Sequence, residues 1–193
     1  QASQKGYKVS VALAPKTSAN QKGLLYEGKD YKLLGAAADS VLLMTYEWGY
    51  TYGPPMAVAP INKVREVVEY AITEIPTEKI DLGIPNYGYD WTLPFVQGSS
   101  KAQTIGNVEA VQIAIENNAV IQFDETAMSP FFHYEKDGLQ HEVWFEDVRS
   151  MREKFHLITE YGLRGMGYWQ IMKLFRVNWL LLADTFEIVR VGE

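Results

Sequence analysis

The chain has 193 residues, 47% hydrophobic and 13% aromatic, enough to bury the core of one domain or of one domain with a small insertion. A net charge of −6 leaves no basic patch to release counterions, which excludes nucleic acid or an anionic membrane as partner. Cysteine is absent, removing disulfides, thiol catalysis and cysteine–zinc sites, and no apolar run approaches the ~20 residues that span a bilayer.

Residues 1–5 carry neither an initiator methionine nor a signal-like apolar segment, and read as the start of a mature or cut piece of something longer. Residues 9–14 predict a first strand that ends at Pro15, followed by a polar loop and a short helix over 31–38. Residues 41–46 are a leucine-rich run of the kind buried in a parallel sheet. After a loop punctuated by Pro54, Pro55 and Pro60, Val64, Val67, Val68, Ala71 and Ile72 recur at helical spacing. Arg65, Glu66 and Glu69 take the other face, and Pro76 stops the helix. A third strand over 80–85 leads into the loop Asn86-Tyr87-Gly88-Tyr89-Asp90-Trp91.

The strand–helix alternation then breaks. Gly98-Ser99-Ser100 predicts a turn, and Asn107 is placed to cap a helix carrying Val108, Val111 and Ile115. Strand-like runs at 120–123 and 131–134 precede Asp137-Gly138, a hairpin signal that joins the second run to residues 141–145. Asp147 caps a helix with apolar Val148, Met151, Phe155 and Ile158, closed by Gly162. Residues 164–169 predict a fourth strand, and a last helix holds Trp179, Leu180, Leu181 and Leu182. Four strand–helix units imply a parallel sheet, half of what a closed eight-stranded barrel needs.

Met44-Thr45-Tyr46-Glu47 places a hydroxyl beside a carboxylate at a strand's C-terminal end, where barrels of parallel strands build active sites. Trp48-Gly49-Tyr50 follows at once, and such an aromatic rim suits a sugar ring better than a phosphate. His133, His141 and His156 are scattered, the first two expected to face each other across the hairpin, so neither a metal site nor a cofactor is expected. The pairs Asp124-Glu125 and Glu146-Asp147 read as a turn and a helix N-terminus. Gly165 and Gly167 lack the third glycine of a dinucleotide fingerprint.

Three strand ends resemble glycoside hydrolase family 18, the chitinase-like (β/α)₈ barrels. Met44-Thr45-Tyr46-Glu47 is similar to that family's sixth strand, with Glu47 where Asp or Asn is more usual. Gly83-Ile84-Pro85-Asn86-Tyr87-Gly88 resembles the seventh strand, and Gly165-Met166-Gly167-Tyr168-Trp169 the eighth. The runs 12–17, 45–55, 85–91 and 141–147 look like the bacterial branch acting on spore-cortex or cell-wall peptidoglycan, often with LysM modules.

The resemblance implies an α/β fold, the C-terminal half of a (β/α)₈ TIM barrel from its fifth strand onward, with an α+β insertion after strand 7. Residues 1–88 would hold barrel strands 5–7, 89–145 the insertion, and 146–193 the rest of the barrel. It further implies hydrolysis of β-1,4-linked N-acetylglucosamine polymers by substrate-assisted retention, an exception to the two-carboxylate scheme. Tyr46 would donate to the acetamido oxygen, Glu47 would hold the distorted sugar and the acid, and Trp169 would floor the sugar. Met44, Trp48, Asn86, Tyr87, Tyr89, Trp91 and Gln170 would shape or line the substrate site. The family's acid motif, D-x-x-D-x-E, is absent from the chain, so these residues alone are expected to be inactive. The alternative is an inactive, lectin-like carbohydrate binder of the same fold. The implied location is extracellular, in the cell wall or spore envelope of a bacterium. Open strand edges lead us to expect self-association, or association with the missing N-terminal half.

Overall fold

A computed structural model describes residues 5–188; residues 1–4, within the stretch read as the start of a piece, and residues 189–193 lie outside the described residues. Strand β1 (Ser10–Leu13) is followed by helix α1 (Tyr31–Ala37), whose first turn is capped by Asp30 accepting the Leu33 N–H. Strand β2 (Ser40–Leu43) leads to helix α2 (Ile61–Glu74), which buries Val64, Val67, Val68 and Ala71 and stops just before Pro76. Strand β3 (Ile80–Pro85) passes almost directly into β4 (Gly88–Thr92). Next come β5 (Gln103–Ile105), α3 (Asn107–Glu116), β6 (Gln122–Asp124), β7 (Ser129–Lys136) and β8 (Leu139–Trp144). Helix α4 (Val148–Tyr161), strand β9 (Gly165–Trp169) and helix α5 (Arg176–Thr185) are the last elements of the described residues.

The strands form two sheets. One is parallel, in the order β1-β2-β3-β9, and the other is antiparallel, in the order β5-β4-β8-β7-β6. The fold is therefore α/β with a parallel sheet. Leu43, Ile80, Leu82 and Ile84 meet Val67, Val68, Met151 and Phe155 in its core, all of them fully enclosed. A second cluster packs α3 residues Ala110 and Ala114 against Phe132, Val143 and Phe145 of the antiparallel sheet and its exit. Strands β1 and β9 each have a single strand neighbour among the described residues. No described helix is long and apolar enough to cross a membrane.

Local chemistry explains most boundaries. Asp137 (φ 53°) and Gly138 (φ 76°) make the two-residue turn that registers Lys136 opposite Leu139. Asp147 accepts from the Arg149 and Ser150 N–H groups while the Ser150 hydroxyl accepts from the Asp147 N–H, and Gly162 closes α4 in the left-handed conformation.

The structure corrects four readings. Strand β2 ends at Leu43 rather than Tyr46, because the Thr45 and Tyr46 N–H groups turn back to the Leu43 and Met44 carbonyls, each at 2.9 Å. The stretch read as loop and turn contains β4 and β5, whose glycine, aspartate and glutamine hide the strand pattern. Gly106, not Asn107, is the cap of α3; the Asn107 side chain is buried and accepts the Glu146 N–H at 2.9 Å. His133 stands opposite Glu142 and His141 opposite Tyr134, so the two histidines lie on opposite faces of the sheet rather than facing each other.

Glu146 and Lys154 form an ion pair of 2.8 Å that is 0% and 1% exposed, with Glu146 Oε1 lacking a partner among the described residues. Burial pushes the Glu146 carboxyl up, against the pull of the Lys154 ammonium. A pair this dry is unforgiving of losing one member. Lys154→Met is expected to lower unfolding free energy by about 3–5 kcal/mol. Glu146→Leu with Lys154→Met should recover most of that loss in urea denaturation. Equal losses in the single and double variants would show that the unpaired charge is not the cause.

Candidate active site

The site begins with the turn after β2. Trp48 and Gly49 N–H groups donate to the Val58 and Ala57 carbonyls at 3.1 and 2.9 Å, drawing the turn against residues 56–58. A Cβ on Gly49 would stand 2.0 Å from the Met56 carbonyl oxygen, so that approach requires glycine. Glu47, one residue earlier on this tether's path, is held at φ 71°. For a residue with a side chain that conformation costs on the order of 1–3 kcal/mol, and it turns the carboxylate outward.

On the neighbouring strand, Tyr87 and Tyr89 are two residues apart in extended chain and so share a face. Both hydroxyls donate to Glu47 Oε1, Tyr87 through a short bond and Tyr89 at 2.9 Å. Their rings meet edge-to-face at 5.7 Å. One oxygen of Glu47 is thus committed to the protein while the carboxylate still reaches solvent. Burial, then the Glu47 carboxylate, holds Tyr87 well above the ordinary tyrosine range, and burial foremost pushes Tyr89 up to about 12. Both remain protonated donors through neutral pH. Tyr46 is half-buried between two core clusters; burial and the Glu47 charge raise its pKa, and no protein hydrogen bond enters.

Opposite Glu47 stands Trp169, 57% exposed at the end of β9. Its carbonyl accepts the Asn86 N–H at 2.8 Å, and its peptide bond to Gln170 is cis. The fully buried Asn86 amide donates to the Gln170 and Lys173 carbonyls at 3.3 and 2.8 Å. Asn86 is therefore a strap holding the segment after β9. Together Glu47, Tyr87, Tyr89, Thr104, Trp169, Gln170 and Lys173 line a cleft of about 210 Å³ at the C-terminal ends of the parallel strands. Among the described residues no group of three or more His, Asp or Glu side chains gathers as a metal site.

Of the residues singled out from sequence, Glu47, Tyr87, Tyr89, Trp169 and Gln170 meet in this cleft, and Tyr46 lies beside Glu47. Tyr46 is not part of the lining, and neither are four others. Trp91 is enclosed, donating its indole N–H to the Gly53 carbonyl at 2.8 Å, so a ligand cannot reach it. Asn86 is buried behind the cleft floor, Trp48 packs against the main core, and the part-buried Met44 stands outside the lining. Thr104 and Lys173 were not singled out. Thr104 sits on β5, where the β-branched Thr104-Ile105 pair after a turn was the available strand signal; nothing local marks Lys173.

The cleft thus gathers tyrosine hydroxyls, one anchored carboxylate and an exposed indole on the ends of the parallel strands of an α/β fold. Residues 1–173 match the profile of glycosyl hydrolases family 18, and the chain belongs to that family. It is 53% identical over 186 residues to the cortical fragment-lytic enzyme of Bacillus subtilis, covering 96% of this chain and 43% of that protein. It superimposes on the crystal structure of the Bacillus megaterium spore cortex-lytic enzyme SleL with a TM-score of 0.93 at 50% identity, over 98% of this chain and 44% of that one. A chitinase from Chromobacterium violaceum aligns with a TM-score of 0.88 at 28% identity, over 95% of this chain and 56% of that one. The chain thus spans less than half the length of the cortex-lytic relatives it matches.

The raised tyrosines set a pH dependence. Tyr31, Tyr89 and Tyr168 are each pushed by burial from 10.0 to about 12. A group whose pKa is higher folded than unfolded stabilises the fold fully below its unfolded value and loses that contribution as pH rises through the folded one. Unfolding free energy should therefore fall between pH 10 and about 12 as these groups ionise. Urea titrations with tyrosinate absorbance as a second signal test it. Tyrosinate forming at all twelve tyrosines by pH 10 in the folded protein would contradict it.

Proposed function

We propose that these residues are the C-terminal half of a (β/α)₈ barrel, running from its fifth strand to its eighth. In this reading residues 1–88 and 146–193 build barrel, and 89–145 form an α+β insertion after strand 7. The complete protein hydrolyses β-1,4 bonds next to N-acetylglucosamine in peptidoglycan or chitin by substrate-assisted retention. The observation that carries this reading is the Glu47 carboxylate, fixed by two tyrosine hydroxyls and lining one cleft with the exposed Trp169.

In the proposed reaction a glutamic acid from residues outside this chain protonates the glycosidic oxygen. The substrate's own 2-acetamido carbonyl oxygen attacks the anomeric carbon, forming a bond as the bond to the leaving sugar breaks. Water then attacks the anomeric carbon from the face the leaving sugar vacated, breaking the bond to the acetamido oxygen and returning a proton to the glutamate, so the configuration is retained. Orientation of an internal nucleophile supplies on the order of 7–11 kcal/mol of such a barrier. Tyr46 donates to the acetamido oxygen, Glu47 uses its free oxygen to hold the distorted sugar, and Trp169 stacks on the sugar's apolar face. The names of the cortex-lytic relatives support action in the spore envelope. The single-neighbour strands β1 and β9 support completion by the other barrel half, or self-association in its absence.

In the full-length protein, Tyr46→Phe and Glu47→Gln should each lower kcat/KM by about 10²–10³-fold. Trp169→Ala should act mainly on KM. Release of reducing ends from cortex fragments and N-acetylglucosamine oligomers measures both. Full activity in Glu47→Gln would remove this site from the chemistry, whereas oligomer binding without hydrolysis in the wild type would support the lectin-like reading. The 193-residue chain alone should release no reducing ends.

A further inference from the structure

Lys173 lines the candidate cleft with Glu47 but makes no ion pair among the described residues. Its backbone is fixed, since its carbonyl accepts from the buried Asn86 amide at 2.8 Å. Its stem runs past Gly106, where an added Cβ would lie 3.4 Å from the lysine Cδ. No carboxylate among the described residues comes within ion-pair distance of the ammonium of this part-buried lysine, whereas the two buried lysines are satisfied: Lys154 pairs with Glu146, and Lys16 donates to the Ala19 and Lys29 carbonyls. Glu47, the nearest acid in function, already has one oxygen bonded to two tyrosines.

Lys173 also stands between two depressions. It lines the sugar-sized cleft with Glu47 and Trp169, and it lines an adjoining groove of about 610 Å³ walled by Val108, Ile113, Met172 and Leu174. Two acids, Glu109 and Glu116, also line the groove, and neither forms an ion pair with Lys173. Glu109 accepts the Gly106 N–H at 3.0 Å, and Glu116 accepts from Gln112 at 2.8 Å. A ligand crossing from cleft to groove meets aromatic rings, then one positive charge, then an apolar wall. A neutral homopolymer of N-acetylglucosamine offers the ammonium hydroxyl and carbonyl acceptors but no negative charge to pair with.

We propose that Lys173 is a specificity-determining residue that pairs with a carboxylate on a substituent of the bound polysaccharide, the rest of that substituent lying along the apolar groove. Of the two polymers proposed above, peptidoglycan, whose alternate sugars carry lactyl ethers, offers such a carboxylate and neutral chitin does not. This rests on the glycosidase reading above. The carboxylate has two sources, the lactyl group itself or the end of a short peptide attached to it, and the pairing chemistry is shared.

The test uses the full-length protein with Lys173→Met and Lys173→Arg. Substrates are N-acetylglucosamine oligomers, alternating muramic-acid oligomers with free lactyl carboxylates, the same oligomers with the carboxylates methyl-esterified, and oligomers carrying a short peptide. The wild-type ratio of kcat/KM for acidic over neutral oligomers should fall roughly three- to tenfold in Lys173→Met, through KM, and Lys173→Arg should restore it. Esterification should produce the same loss in the wild type, and added salt should shrink it. Preference for the bare lactyl or the peptide-bearing oligomer identifies the source. An unchanged ratio in Lys173→Met overturns the inference while leaving the glycosidase reading intact, as does an equal loss on acidic and neutral oligomers. A wild type that hydrolyses none of the four overturns both.

Discussion

The bonds from Tyr87 and Tyr89 to one oxygen of Glu47 connect the two sheets at the point where the candidate site lies. Glu47 belongs to the turn after β2 of the parallel sheet, Tyr87 to the bridge between β3 and β4, and Tyr89 to the antiparallel sheet. The left-handed backbone of Glu47 is held against its own cost by the pairing of Trp48 and Gly49 with residues 57 and 58. Neither tyrosine ionises near neutral pH, so the donors do not vary. What remains free of protein hydrogen bonds among the described residues is the other oxygen of Glu47, in a cleft of about 210 Å³ that Trp169 also lines.

Behind that cleft, buried polar groups do the positioning. Asn86 receives the Asn107 amide at 3.4 Å and holds the segment after β9, while Asn107 also accepts the Glu146 N–H. Glu146 in turn pairs with Lys154 on α4. A continuous run of hydrogen bonds thus passes from the cleft floor to the helix that covers the parallel sheet. Each member is enclosed, so each is fully hydrogen-bonded or nearly so, since an unsatisfied buried group costs about 1–3 kcal/mol. Residues read from sequence as substrate contacts, Asn86 above all, belong to this internal scaffold instead.

Most of the fold was legible because its elements follow apolar periodicity and standard end signals. Val64, Val67, Val68 and Ala71 marked α2, Asp147 and Gly162 bounded α4, and Asp137-Gly138 located a hairpin. Strands β4 and β5 were not legible: β4 opens on glycine and carries a buried aspartate, Asp90, that is satisfied only through Tyr134 and His141, residues more than forty positions away. The same distance explains the site. Tyr46, Glu47, Tyr87 and Trp169 stand at strand ends and could be named from strand-end position and family resemblance. Trp91 could not be told from them, because alternation along an extended chain puts it on the same face as Tyr87 and Tyr89 while packing encloses it. Lys173 lies in an irregular segment placed by Asn86, with no periodic signal of its own.

The central claim is that the anchored Glu47 and its neighbours position the substrate's acetamido group to attack its own anomeric carbon. The most direct measurement is proton NMR of the first products released by the full-length protein from a β-1,4-linked N-acetylglucosamine-containing polymer, compared with the same polymer stripped of its N-acetyl groups. The account predicts that the β-anomer appears first and that the de-N-acetylated polymer is not cut. An α-anomer as first product, or equal cleavage of the two polymers, would contradict it.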